Sequence, residues 1–147
     1  MNDRALSINV RAVLDEYFRC VDAHDFERAG DCFTPDVESE FAGRRLSPGR
    51  QAIVDFLRGA MSGSRNSRHF ATNVAMEPVD EDLVRTETAA LVFAIGADDG
   101  TGPRLTIRGV RYRDELRRLD GEWRIARRVH RGEWTADAPV TLLSAPE

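Results

Sequence analysis

A chain of 147 residues lies within the size of one domain and can bury a core without disulfides or metals. All 21 positive charges are arginine, set against 25 acidic residues, and the net charge of -4 provides no basic surface for a row of phosphates, which argues against nucleic acid as the main partner. Cys20 and Cys32 fall in helical patterns and read as reduced thiols; the longest apolar run, AALVFAIGA, is too short to span a bilayer. The opening MNDRALSINV lacks the basic region and apolar stretch of a signal peptide, so a cytoplasmic protein with no membrane partner is expected.

From Leu6 to Ala23, Val10, Val13, Leu14, Tyr17, Phe18 and Val21 recur at three- and four-residue intervals, the pattern of an amphipathic helix. AHD breaks it, and DFERAGDCF resumes a short helix with Asp25 as its N-cap, which TPD stops. VESEFAG alternates weakly like an edge strand, RRLSPGR reads as a loop, RQAIVDFLRGAM as a third helix and SGSRNS as a flexible link. After residue 67 the period drops to two, giving four strand-like runs: RHFATNVAMEPV, LVRTETAALVFAIG, RLTIRGVRYRDELRRL and EWRIARRVHRGEW. GADDGTGP and LDGE supply hairpin turns, the second with the Asp-Gly pair of a mirror-image turn. One domain is expected over residues 1–136, followed by a loosely held tail over 137–147.

Helices first and strands later define an α+β domain with a mostly antiparallel sheet. Long strands curved around three helices make a cone whose concave face is apolar and whose open end has room for a ligand. The convex face needs cover too, and a second copy of the chain, giving a homodimer, is the expected one. Strict alternation places His69, Ala71 and Asn73 on one face of their strand, Val110 and Tyr112 on one face of theirs, and Arg128 with His130 on one face of the last. The three histidines show no metal-ligand spacing, so no metal is expected.

The stretches YFRCVDAHDFERAGDCFTPDV, GRQAIVDFL, RHFATNV and YRDELRRLDGEWRIARR resemble the SnoaL-like branch of the nuclear transport factor 2-like superfamily, over most of residues 8 to 131. The resemblance implies the same cone, an α+β barrel around three N-terminal helices. The reactive positions are similar to those of scytalone dehydratase and hexachlorocyclohexane dehydrochlorinase, which pair an aspartate near the end of the first helix with a histidine opening the strand after the third; here these are Asp22 and His69. The dehydratase's additional tyrosine and second histidine fall on Val21 and Ala94, which argues against scytalone as the substrate. Arg128 matches a pocket-lining position of the dehydrochlorinase, where an arginine could hold a leaving anion. Tyr17 matches the oxyanion-binding tyrosine of ketosteroid isomerase, whose aspartate base falls on Phe41. The resemblance also turns Val110 and Tyr112 into the pocket.

Together these readings imply a cofactor-free lyase or isomerase in which His69 moves a proton and Asp22 fixes its tautomer. Tyr17, Tyr112, Arg128, Asn73 and Phe41 are the candidate substrate-binding residues, and Phe18, Phe41, Phe56 and Leu91 the candidate apolar lining for a small hydrophobic ligand. Two other functions fit the same fold: a non-catalytic ligand-binding module, and a small structural subunit of a ring-hydroxylating dioxygenase.

Overall fold

A computed structural model describes residues 3–96 and 100–143. The first apolar stripe forms helix α1, Asp3–Asp22, which buries Val10, Leu14, Tyr17, Phe18 and Val21. The chain then turns on His24, whose positive φ of 57° lets the Asp25 amide return to the Cys20 carbonyl at 2.9 Å. Asp25 caps α2, Phe26–Asp31, its carboxylate accepting from the Arg28 amide as expected of an Asp one residue before a helix. Helix α3, Arg50–Ala60, crosses α2 so closely that a Cβ on Gly30 would lie 2.9 Å from Val54 Cγ2.

The strands are β1 (Phe33–Phe41), β2 (Arg44–Arg45), β3 (Ser64–Pro78), β4 (Leu83–Gly96), β5 (Arg104–Leu119) and β6 (Glu122–Pro139), in spatial order β2-β1-β6-β5-β4-β3. Every pairing is antiparallel except β1 with β6. The α+β class with a curved, mostly antiparallel sheet is therefore as expected. Three local expectations are corrected, the first being the SGSRNS link, of which residues 64–67 already belong to β3 and pair with β4. VESEFAG is not the edge: β1 starts at Phe33 and lies between β6 and the two-residue β2, drawn from the supposed loop. The first residues of the expected tail, 137–139, are not loose, because they continue β6 and pair with β5 as far as Arg104 opposite Pro139. Of the GADDGTGP turn, residues 97–99 lie outside the described residues, as do the last four residues of the tail.

LDGE closes a two-residue hairpin with φ of 52° at Asp120 and 83° at Gly121, the paired left-handed conformation of a type I′ turn. Register shifts leave Thr72 of β3 and Ala126 and Glu133 of β6 as extra residues against their neighbours. Such bulges bend a strand and reverse its inside-outside alternation, which coils the sheet around the helices.

Candidate active site

The reversal at Thr72 decides what reaches the cone from β3. Before it, Ser67, His69 and Ala71 face inward; after it, Val74 and Met76 pack on the core. Asn73 is exposed. Its expected place beside His69 is thus corrected, since unbroken alternation across a bulge puts every later residue on the wrong face. Leu91 is corrected likewise: its neighbours Ala90 and Val92 are buried in the core, while Leu91 pairs across the sheet with Phe70 and Gly109 on the convex face.

Asp22 and His69 meet. Asp22 Oδ1 lies 2.6 Å from His69 Nδ1 and accepts from Ser67 Oγ at 2.9 Å, while Oδ2 accepts from the His69 backbone amide at 2.9 Å. Burial pushes the Asp22 carboxyl up, but the ring and amide of His69 together with the Ser67 hydroxyl outweigh it and hold the group below its ordinary range. The carboxylate sits at the C-terminal end of α1, where the helix dipole disfavours it, and these donors compensate. Because a carboxylate can only accept, Nδ1 carries the proton of the neutral ring and Nε2 keeps its lone pair. Nε2 has no hydrogen-bond partner among the described residues. Phe18 stacks on the ring, with centroids 5.4 Å apart and planes 14° from parallel, and only 8% of the His69 side chain is exposed.

Beside His69 the concave wall is low. Ala71, Ala90, Val110 and Gly132 follow one another across β3, β4, β5 and β6. Tyr112 stands next, edge-on to Phe18 at 5.3 Å and buried so that its phenol is raised far above its ordinary range and stays an O–H donor. Behind it, Tyr17 packs on Phe18, Phe33 and Tyr112, and Phe41 packs on Phe56 and His130. Tyr17 and Phe41 are therefore in the core that closes the cone's narrow end.

Arg128 faces inward as expected, but not as a free cation. It is 0% exposed and grips Asp114 with both Nε and Nη2, at 2.8 and 2.7 Å. Its guanidinium carbon lies 4.2 Å from the centroid of the Tyr17 ring and 4.6 Å from that of Tyr112. The expectation that it holds a leaving anion is corrected: the side chain is fully buried and its charge is already neutralised by a bidentate carboxylate, although Nη1 keeps free donors. Arg128 Nη1, Thr86 Oγ1, Thr88 Oγ1, Ser39 Oγ and His130 Nδ1 are buried without a partner. His130 has its imidazole pulled down to about 4, first by burial and then by the charges of Arg128, His69 and Arg108, so it is neutral at neutral pH. Among the described residues no cluster of His, Cys, Asp or Glu converges as a metal-ligand set.

Three contributors were missed in the sequence. Ser67 alternates with His69, and Asp114 alternates with Tyr112, so period two already puts both on the inner face. Phe18 was placed in the lining but not over the imidazole.

Fold and site define a cone-shaped α+β protein with a carboxylate-imidazole dyad on its concave wall. The chain belongs to the SnoaL-like domain family, whose model matches residues 5–129. Among solved structures it is similar to a candidate scytalone dehydratase from Novosphingobium aromaticivorans (TM-score 0.82, 23% identity, 96% of this chain and 94% of that one). It is also similar to a hexachlorocyclohexane dehydrochlorinase from Novosphingobium barchaimii (TM-score 0.82, 17% identity, 97% and 96%). A protein of unknown function from Mycobacterium tuberculosis superposes at TM-score 0.76 with 27% identity over 89% of this chain and 78% of that one. No curated protein sequence matches the chain.

Proposed function

We propose that the protein is a lyase or isomerase that needs no cofactor and acts on a small, largely hydrophobic substrate. The observation that carries this reading is the dyad: Asp22 holds Nδ1 of His69 at 2.6 Å while Nε2 has no partner among the described residues, and a row of small side chains adjoins it on the concave face. In the neutral ring, Nε2 takes a proton from carbon next to a carbonyl or to the carbon bearing a leaving group, and the C–H pair forms the new double bond as that group departs. Asp22 stabilises the imidazolium that results. Tyr112 donates to a substrate oxygen. The dehydratase and dehydrochlorinase that superpose on the chain support the reaction class through fold alone.

The test is turnover of a panel of cyclic β-hydroxyketones and chlorinated cyclohexanes, followed by mass spectrometry. His69→Gln is expected to lose about 10³-fold or more in kcat/KM while still binding ligand. Equal turnover by wild type and His69→Gln would refute the base. Ligand binding with no turnover across the panel would instead favour a binding module.

On the convex face, Phe70 and Trp134 are each 53% exposed and share a row with Leu91 and Gly109. We assign this patch to a homodimer. Trp134→Glu should then give a monomer by light scattering, and a wild type that is already monomeric would refute the assignment.

A further inference from the structure

The dyad explains where a proton is taken, but not how a substrate is oriented over it. Of the groups first suggested for that task, Arg128 is sealed by Asp114 and Asn73 is turned away by the Thr72 bulge. Another arginine lies on the inner face. Along β5, Arg108, Val110, Tyr112 and Asp114 alternate to the concave side, and no bulge interrupts the pairing of β5 with β4. His69 pairs with Val92 and Val92 with Arg108, so the three lie in one row across β3, β4 and β5. At the spacing of neighbouring strands, the His69 and Arg108 backbones are on the order of 10 Å apart.

Arg108 is exposed and makes no hydrogen bond or ion pair among the described residues. The nearby carboxylate of Asp137 accepts from Thr106 instead. On β6, His130 pairs with Tyr112 and Gly132 with Val110, so His130 lies on the same concave side of the sheet as Arg108. Between Arg108 and His130 lies Gly132, opposite Val110, and a Cβ built on Gly132 meets nothing within 4 Å. The concave surface here carries the Arg108 guanidinium, without a partner among the described residues, beside the apolar Val110 and Val92, with His69 two strands away. An arginine is permanently charged, and its planar fork matches a carboxylate or sulfonate.

We propose that Arg108 binds an anionic group on the substrate, so that the ligand is an amphipathic anion whose apolar part lies over Gly132 and Val110 and whose reacting carbon reaches His69. This rests on the reading of the concave face as the active site and narrows its substrate class from hydrophobic to hydrophobic with a carboxylate or similar anion.

The test uses two dyes that differ by one charge: 8-anilinonaphthalene-1-sulfonate and its neutral analogue N-phenyl-1-naphthylamine, titrated by fluorescence. Arg108→Gln is expected to weaken the sulfonate about 10-fold or more, with less effect at high salt, and to change the neutral dye less than about 2-fold; Arg108→Lys should retain most of the affinity. Gly132→Leu, which adds bulk at a position where a Cβ meets nothing within 4 Å, should weaken both dyes. Unchanged sulfonate binding by Arg108→Gln, equal loss of both dyes, or binding of both that survives Gly132→Leu would each overturn the proposal. None of these outcomes depends on turnover, so failure here is distinct from failure of the His69 base, which is read from His69→Gln kinetics.

Discussion

Replacing Asp114 by leucine tests the idea that the narrow end of the cone is held by one buried ion pair. The substitution removes both acceptors from Arg128 and leaves a guanidinium, 0% exposed, with no counter-charge. The rings of Tyr17 and Tyr112 remain, and cation-π contact of this kind recovers up to about 2 kcal/mol in a desolvated site. Breaking a buried pair from one side costs about 3–5 kcal/mol, a large share of the roughly 5–15 kcal/mol that holds a domain together. For a chain of this size the melting temperature should fall by roughly 10 °C. Urea unfolding, extrapolated linearly to water, measures the loss. The double variant Asp114→Leu with Arg128→Met should recover most of it, because an apolar pair of similar volume needs no partner. A single-variant loss below about 1 kcal/mol would refute the reasoning, as would a double variant no more stable than Asp114→Leu.

His130 gives the protein an acid-sensitive step. Its imidazole accepts a proton near 6.5 when unfolded and only near 4 when folded, so between these values the unfolded chain binds more protons and stability falls as pH drops. The loss reaches at most about 3 kcal/mol, and His130→Asn should flatten the pH dependence of the urea midpoint in that window. Asp22, held low in the folded state, adds a separate loss that sets in only as pH falls below its unfolded value of 3.8. Gly109→Ala should cost about 1–3 kcal/mol in the same assay, since a Cβ there would sit 2.2 Å from the Trp134 ring; an unchanged midpoint would show that the indole moves freely.

Much of the fold was legible because its signals are local. The stripe of α1, the Asp25 cap and the Asp-Gly turn each act over a few residues, and all three are found where the sequence puts them. The pairing of Asp22 with His69 spans 47 residues and came from the family resemblance, since no local pattern records it. The failures share one origin. Asn73 was misplaced because the bulge at Thr72 appears only in the pairing of β3 with β4, and β1 was mistaken for an edge because its partner β6 lies far along the chain. Arg128 was correctly turned inward, yet its role changed once Asp114 was seen opposite it in the β5–β6 register.

The protonation of one ring most directly tests the account. Long-range nitrogen-proton correlation spectra of the imidazoles distinguish the two neutral tautomers of His69. The geometry requires hydrogen on Nδ1 and a bare Nε2 in the wild type, with Asp22→Asn shifting the ring toward the opposite tautomer as its amide donates to Nδ1. A wild-type ring with hydrogen on Nε2, or a tautomer indifferent to Asp22→Asn, would contradict the claim that Asp22 sets His69 as the base.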